Sequence, residues 1–264
     1  MKTFNLAVAL ADISDGLRMR NVWLRLAIDD LRLRYSRTRL GPSWLSLGMV
    51  IYIGGLGLIW GTLFNMDLEK FYPYMAVGLI TWHFITASVG EGVNSFVGAN
   101  GIISAVPLPL SVHINRQVVR VLVSLIHTLP IGFLVSLFCG IGPNLIQLFI
   151  FPAVLVLAIN CWWVTLFLGI VGARFRDVGH IITTFMPFMF FLTPILWDRS
   201  MLKNLAFIAD YNPFTHYIEI VRQPLMGQLP PSSSYIVVGV ITVIGISVTT
   251  LVFARTRHRI VFWL

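Results

Sequence analysis

Charged residues are confined to short intervals of this chain, and the uncharged stretches between them set its architecture. No Asp, Glu, Lys or Arg lies between Arg39 and Asp67, between Lys70 and Glu91, or from Val121 to Ala173. A helix needs about 20 apolar residues to cross the hydrocarbon core of a bilayer. The pattern therefore predicts spans at 44–64 and 71–90, and two more, 121–139 and 145–171, inside the longest stretch. Between these two, Gly140-Ile141-Gly142-Pro143-Asn144 has the composition of a turn. A fifth span, 179–197, is interrupted by Pro187 and Pro194, and a sixth covers 235–254.

Gly92–Asn115 is also free of charge, and whether it spans decides the orientation of everything after it. Basic residues gather on the cytoplasmic side of membrane proteins. With six spans and a cytoplasmic N-terminus, that side holds Lys2, the seven arginines from Arg18 to Arg39, Arg116, Arg120, Arg174, Arg176, Arg255, Arg257 and Arg259. The outer side holds Lys70, Arg199, Lys203 and Arg222, a split of 15 to 4. A seventh span reverses every later loop and leaves 11 against 8. The stretch also carries Asn94, Asn100, Pro107 and Pro109, so 92–116 reads as a cytoplasmic loop, and both termini face the cytoplasm.

Segments outside the spans have their own periodicity. Over 17–40, Leu17, Leu24, Ile28, Leu31 and Tyr35 recur at helical spacing, and Arg18, Arg25, Asp29, Arg32, Ser36 and Arg39 follow one position on. A basic amphipathic helix of this kind lies along the headgroups, with Trp23 nearby, until Gly41-Pro42 ends it. It anchors the first span or also touches a cytoplasmic partner. On the outer side, Asp198–Ser234 predicts two short helices, Met201–Asp210 and Pro213–Met226; Asn212 caps the second and Pro213 takes its first position. Too short to span and too apolar for water, they are expected to dip back between the spans as a re-entrant pair, the alternative being two helices lying flat at the interface. On the inner side, Val106-Pro107-Leu108-Pro109-Leu110 puts apolar residues on an aqueous loop, as a docking knob or folded against its own bundle. Asp177, beside Arg174 and Arg176, allows a local ion pair. The fold class is an all-α integral membrane protein: six transmembrane helices, an N-terminal interfacial helix and two short re-entrant periplasmic helices before the last span, in a single domain over 1–264.

Composition agrees. Of 264 residues, 57% are hydrophobic and 11% charged, and the mean hydropathy is +0.83, which excludes an ordinary soluble domain. The net charge of +8 does not indicate nucleic acid, because the basic residues flank the apolar runs. Cys139 and Cys161 lie in apolar stretches and form no disulfide framework. Met1–Ala11 has no cleavable signal pattern.

Several chemistries are missing. The chain has no Gly-x-x-x-x-Gly-Lys-Ser/Thr loop for nucleotide phosphates. Gly54, Gly55, Gly57 and Gly61 sit inside a span, where small residues let helices approach closely. None of the six histidines lies three or four residues from another, so zinc is not indicated. No Asp-x-Asp or His–carboxylate pair suggests a membrane transferase. No Asp, Glu, Lys or Arg falls inside a predicted span, although Glu91 sits at an end; proton- or sodium-coupled carriers usually need such groups. What remains is a conduit powered from elsewhere, or a purely structural scaffold. Aromatic residues are abundant, including Trp44, Tyr52, Trp60, Phe64 and Trp197, mostly near span ends where they suit the headgroup belt.

Four stretches together carry a resemblance. Arg34-Tyr35-Ser36-Arg37-Thr38-Arg39-Leu40-Gly41-Pro42-Ser43-Trp44, then Pro107-Leu108-Pro109-Leu110, then Arg174-Phe175-Arg176-Asp177, and finally Pro194-Ile195-Leu196-Trp197 with Asn212-Pro213-Phe214, resemble the membrane subunit of bacterial ABC-2 type polysaccharide exporters. The likeness runs over nearly the whole chain and is strongest to the O-antigen export permeases, with teichoic acid and capsule export permeases sharing much of it. The resemblance implies a homodimer in the bacterial inner membrane, paired with two copies of a separate cytoplasmic ATPase that holds the ATP and Mg. This chain itself carries no cofactor and no catalytic residue. It also implies that a lipid-linked polysaccharide passes between the two copies, among membrane lipids and without nucleic acid. The nearest alternative is export of teichoic acid, capsule, or a smaller lipid or drug.

On that basis the substrate path is expected to include Arg34, Tyr35, Arg37, Arg39, Trp44, Tyr52, Trp60 and Phe64, with the arginines attracting a lipid-linked phosphate and inward aromatics stacking on sugars. Arg25, Arg32, Val106, Pro107, Leu108, Pro109, Arg174, Arg176 and Asp177 are expected to meet the ATPase. Trp197, Asn212, Pro213, Phe214, His216, Tyr217 and Arg222 are expected to form a periplasmic gate.

Overall fold

The structure is a computed structural model, and it describes residues 5–36, 38–199, 201 and 206–264. Among the described residues there is no strand. The elements in order are α1 (Leu6–Arg18), α2 (Arg20–Tyr35), α3 (Ser43–Leu63), α4 (Leu68–Val93), a 3-10 turn at Val97–Ala99, α5 (Asn100–Ala105), α6 (Leu110–Phe138), a 3-10 turn at Leu145–Phe149, α7 (Ile150–Arg174), α8 (Val178–Leu192), α9 (Phe207–Tyr211), α10 (Pro213–Leu225) and α11 (Ser232–Trp263).

Local chemistry sets many of these ends. Asn5 accepts a hydrogen bond from Val8 N and caps α1; Asp67 does the same for α4 through Glu69 N. Asn144 and Gln147 form a reciprocal capping box at the turn into α7. Gly140, with φ +85°, supplies the left-handed residue that ends α6.

α4 is the hub. It packs against α3, α6, α7, α8 and α10, while α11 lies along α7, and α1 and α2 lie along α6. Small residues permit the closest crossing: a Cβ at Gly92 would stand 3.2 Å from Thr165 Cα, and one at Gly172 would meet the Val93 carbonyl. The buried set runs through Met75 and Ile80 of α4, Leu125 of α6, Leu157 and Leu166 of α7, Ile218 of α10 and Phe253 of α11.

Among the described residues, four helical stretches are long and apolar enough to cross a membrane: Ser43–Leu63, Leu110–Phe138, Leu145–Arg174 and Ser232–Trp263. α4 has 26 residues but carries Glu69, Lys70, His83 and Glu91. α8 has 15 residues and contains Pro187.

The helix boundaries differ from the sequence pattern in several places. The stretch 17–40 is not one helix: α1 and α2 break at Met19 (φ −77°, ψ 38°), whose amide returns to the Asp15 carbonyl. The break lets α1 lie along α11 as well as α6, where buried Asp12 accepts from Leu110 N (3.1 Å), Ser111 N (3.0 Å) and Arg257 Nε (2.7 Å). Asp12 thus caps α6, which starts at Leu110 rather than near residue 121 and takes in the end of the stretch 92–116. The rest of that stretch forms the end of α4, a 3-10 turn and α5. α8 stops at Leu192, short of residue 197, because Thr193 precedes Pro194 and is extended (φ −94°, ψ 135°). α11 continues past Ala254 through Arg255, Arg257 and Arg259. The helix expected over Met201–Asp210 is described only as α9, Phe207–Tyr211, since 202–205 lie outside the described residues.

Candidate functional site

Three features carry chemistry: an aromatic groove on the flank of the bundle and a polar cluster at each end of it. The groove, of about 610 Å³, opens between α3, α4 and α8 and is lined by Tyr52, Trp82, His83, Thr86, Phe190 and Phe191 with Met49, Met186 and other apolar residues. No carboxylate, lysine or arginine is in its wall. Its aromatic rings are braced: Trp82 meets Phe214 of α10 edge-on at 5.4 Å and Phe190 at 5.8 Å, and Phe190 meets Phe191 at 5.4 Å. Rings held in this way offer flat apolar faces, and Thr86, His83 and Tyr52 add hydrogen-bonding groups.

At one end lies a network joining α2, α4 and α6. Asp30 of α2 accepts from Arg116 Nε (2.6 Å), Arg116 Nη2 and Arg120 Nη1 (2.8 Å). Glu91 of α4 accepts from Gln117 Nε2 (2.6 Å), Arg120 Nη2 (3.2 Å) and Arg34 Nη2 (3.4 Å). Burial works against ionisation of Asp30, but Arg116 and Arg120 outweigh it and hold its carboxyl below the usual carboxylate range.

At the other end, α10 carries a fully buried arginine. Arg222 Nη2 donates to the Pro194 carbonyl (2.7 Å) and Nη1 to Glu219 (2.9 Å), with the guanidinium 3.7 Å from the Tyr74 ring centroid. Gly78 makes room for it: a Cβ there would stand 2.5 Å from Arg222 Nη2. A polar cavity of about 660 Å³ opens above, walled by Tyr74, Asp210, His216, Glu219, Gln223 and Ser234 among others.

The expected path residues do not converge. Arg34 is paired with Glu91 rather than free, Tyr35 is half-buried, and Arg39 is exposed in the turn before α3. Arg37 lies outside the described residues. Trp44 is exposed in the first turn of α3; Trp60 and Phe64 stack on each other at its far end (5.0 Å, 12°). Tyr52 alone of this set lines the groove.

Among the expected ATPase contacts, Arg25, Arg32, Val106 and Pro107 are exposed, and Leu108 and Pro109 are half-buried. Arg174 lies over the Trp263 ring (5.2 Å), and Arg176 Nη2 donates to the Trp263 carbonyl (3.3 Å). Asp177 makes no ion pair among the described residues, because both arginines turn to the end of α11 instead.

The expected gate residues are each tied to neighbours on or beside α10. Asn212 donates to Thr193 Oγ1 (2.9 Å) and Leu192 O, and caps α10 through Phe214 N, where Pro213 takes the first position. Trp197 Nε1 donates to Phe191 O, His216 bridges Ser234 and the Asp210 carbonyl, and the Tyr217 hydroxyl donates to Asn160. Sequence reasoning missed Asp30, Tyr74, Trp82, His83 and Glu219. The i, i+4 spacing of Arg116 and Arg120 on one helix face was the available signal for a carboxylate opposite them.

Long apolar helices, with the acids, lysines and arginines gathered toward the ends of the bundle, define a multi-pass membrane protein. Residues 25–226 match the family described as ABC-2 type transporter, and the chain belongs to that family. It is a permease, the membrane-spanning kind of transporter subunit rather than an enzyme. It is similar to the O-antigen export system permease protein RfbA of Myxococcus xanthus, 25% identical over 186 residues that cover 70% of this chain and 71% of that protein. It is also similar to two Klebsiella pneumoniae proteins of the same name, 24% and 21% identical over 236 residues covering 87% of this chain and 90% of each. The family resemblance carried by the four sequence stretches is thereby borne out.

Proposed function

We propose that the chain is the permease of an ATP-driven exporter that moves a lipid-linked polysaccharide, of the O-antigen kind, across the bacterial inner membrane through a pore between two copies. The aromatic groove of α3, α4 and α8 carries this reading: it is uncharged, braced and open on the flank of the bundle. Aromatic faces hold sugar rings while letting them slide, whereas buried charges would trap a long polymer. α3, α4, α6, α7, α8 and α11 serve as six spans with both termini cytoplasmic. α10, with its buried Arg222, and α9 dip back from the periplasm as the gate. No cofactor resides in this chain; ATP and Mg belong to two copies of a cytoplasmic ATPase. That partner docks on the exposed inner surface of α2 and on the 106–109 link. The similarity to O-antigen export permeases supports the cargo, and export of teichoic acid, capsule or a smaller lipid or drug is the second reading.

Deletion and complementation test it. Deleting the gene should abolish surface polymer, and wild-type chain should restore it, while Tyr52→Ala combined with Phe191→Ala should insert normally and restore under a tenth. Surface polymer unchanged in the deletion strain rejects the cargo, and failure of any ATPase to co-purify rejects the exporter.

A further inference from the structure

A pocket of about 300 Å³ lies between α4, α7, α10 and α11. It shares α4 with the aromatic groove but no residue with it. Its wall includes Val89 of α4, Val164, Phe167 and Leu168 of α7, Phe214 of α10 and Ile241 of α11. α7 sets its depth. The wall residues of α7, from Leu157 to Leu168, occupy the middle of Leu145–Arg174, a stretch long and apolar enough to cross a membrane. The medium outside the pocket is therefore hydrocarbon rather than water.

The wall offers a polar ligand nothing to bond. Asn160 uses its hydrogen-bonding capacity inside the protein. Its Nδ2 donates to the Val156 carbonyl (2.9 Å) and to Thr242 Oγ1 (2.8 Å), while Oδ1 accepts from Trp163 Nε1 (2.8 Å) and the Tyr217 hydroxyl (2.7 Å). The Ser88 hydroxyl donates to Phe84 O (2.7 Å), and Cys161 Sγ lies 3.9 Å from Thr165 Oγ1. A sugar or a lipid headgroup entering here would give up its hydrogen bonds without replacement. Water is no better placed, since an apolar cavity of about 150 Å³ already stays dry and takes up benzene. A helix of another protein, about 10 Å across, is too wide for the space. A hydrocarbon chain fits both size and chemistry. The pocket also meets the outer surface of the bundle. Ile241 is half-buried, and Ile244 and Val248, three and seven residues on along the same face of α11, are exposed.

We propose that this pocket seats one acyl chain of a bilayer phospholipid, which enters along α11 and lies against α7 and α10. The chain belongs to the surrounding bilayer rather than to a lipid carrier held in the groove, because the two hollows have no wall residue in common. Phe214 connects them. Its ring lines the pocket and meets Trp82 of the groove edge-on at 5.4 Å. A seated acyl chain therefore backs one of the rings that brace the groove.

The full-length chain is reconstituted in phosphatidylcholine nanodiscs that contain a trace of phosphatidylcholine with a diazirine at the end of one acyl chain. After illumination, cross-linked residues are located by peptide mass spectrometry. Labels should fall on Val164 and Tyr217 in the pocket as well as on exposed Ile244. Val164→Trp and Leu168→Trp fill the pocket from two points on α7. Each should cut the labelling of Tyr217 at least tenfold while Ile244 keeps its parental yield, which shows that the bundle is intact. Unlabelled polyprenyl phosphate added to the disc should change neither yield. Labels confined to exposed residues in the parent, or Tyr217 labelled undiminished in both variants, overturn the seat. Loss of the Tyr217 label to polyprenyl phosphate overturns its assignment to bilayer lipid.

Discussion

α3 and α4 are sequence neighbours, both uncharged through their middles, yet they occupy opposite environments. α3 buries only Met49, Ile53, Gly57 and Gly61 of its 21 residues, whereas α4 buries fifteen of its 26. Hydropathy ranks them the other way: α3 satisfies the length and composition of a span, and α4, with its tyrosines, His83 and hydroxyl residues, does not. In a bilayer, apolar surface faces lipid as comfortably as it faces protein, so extreme apolarity marks the rim of a bundle and moderate polarity its centre. α4 keeps its hydroxyls satisfied internally, Thr81 donating to Val77 O and Ser88 to Phe84 O, and spends its small residues on helix contacts.

The strongest way to break this contrast is at the N-terminal half of α4, where Tyr74 and Gly78 receive Arg222. Arg222→Met should leave Glu219 and the Pro194 carbonyl without their cation. Losing one partner of a buried ion pair costs about 3–5 kcal/mol, so the variant should unfold well below the parent temperature in mild detergent. A variant with parental stability would show that α10 does not depend on its seat against α4.

Much of the rim was legible in the sequence, and much of the centre was not. The α3 span, the turn at Gly140–Asn144 and the start of α10 at Asn212-Pro213 follow from local signals, because caps, turns and apolar runs are properties of adjacent residues. The start of α6 did not, because it depends on Asp12, a residue far away in the chain that read only as an acid near the N-terminus. Arg222 read as one of the few outer basic residues and is instead fully buried, for its partners come from α4, from the turn after α8 and from its own helix. Tyr52 was singled out in the sequence and lines the groove, but its groove partners Trp82 and His83 lie on α4, and nothing in either helix alone brings them together.

The C-terminal half of α4 offers a smaller test with a pH signature. Asp30 joins α2 to Arg116 and Arg120, and Arg120 also reaches Glu91 of α4. Asp30→Asn should cost about 1–3 kcal/mol at neutral pH by leaving charged donors under-bonded. Because the native carboxyl titrates below its ordinary value of 3.8, its contribution is fully present above that value and is lost as pH falls through the lower native one. The gap in unfolding temperature between parent and Asp30→Asn should therefore be constant from pH 7 to about pH 5 and close below pH 3.8. A gap that persists in acid would remove the carboxylate from the explanation.

The contrast sharpens most within α3 itself, where Gly54, Gly55, Gly57 and Gly61 read alike in sequence. A Cβ at Gly57 would collide with the Tyr72 ring of α4, and one at Gly61 would meet Leu68, but Gly54 and Gly55 face open space. Gly57→Leu overpacks a helix contact, so it should destabilise by about 1–3 kcal/mol. Gly54→Leu adds a methylene-rich side chain where no protein atom stands and should change stability by less than about 0.5 kcal/mol. Thermal unfolding of the two variants side by side holds residue type, helix and bilayer depth nearly constant, leaving only the neighbour to differ. Equal losses would mean that α3 is covered on both faces within one chain and that its outward face is not rim. Silence at Gly54 in the isolated subunit, combined with lost pairing of two copies in a cross-linking assay, would show that this face is covered in the assembly by a second copy.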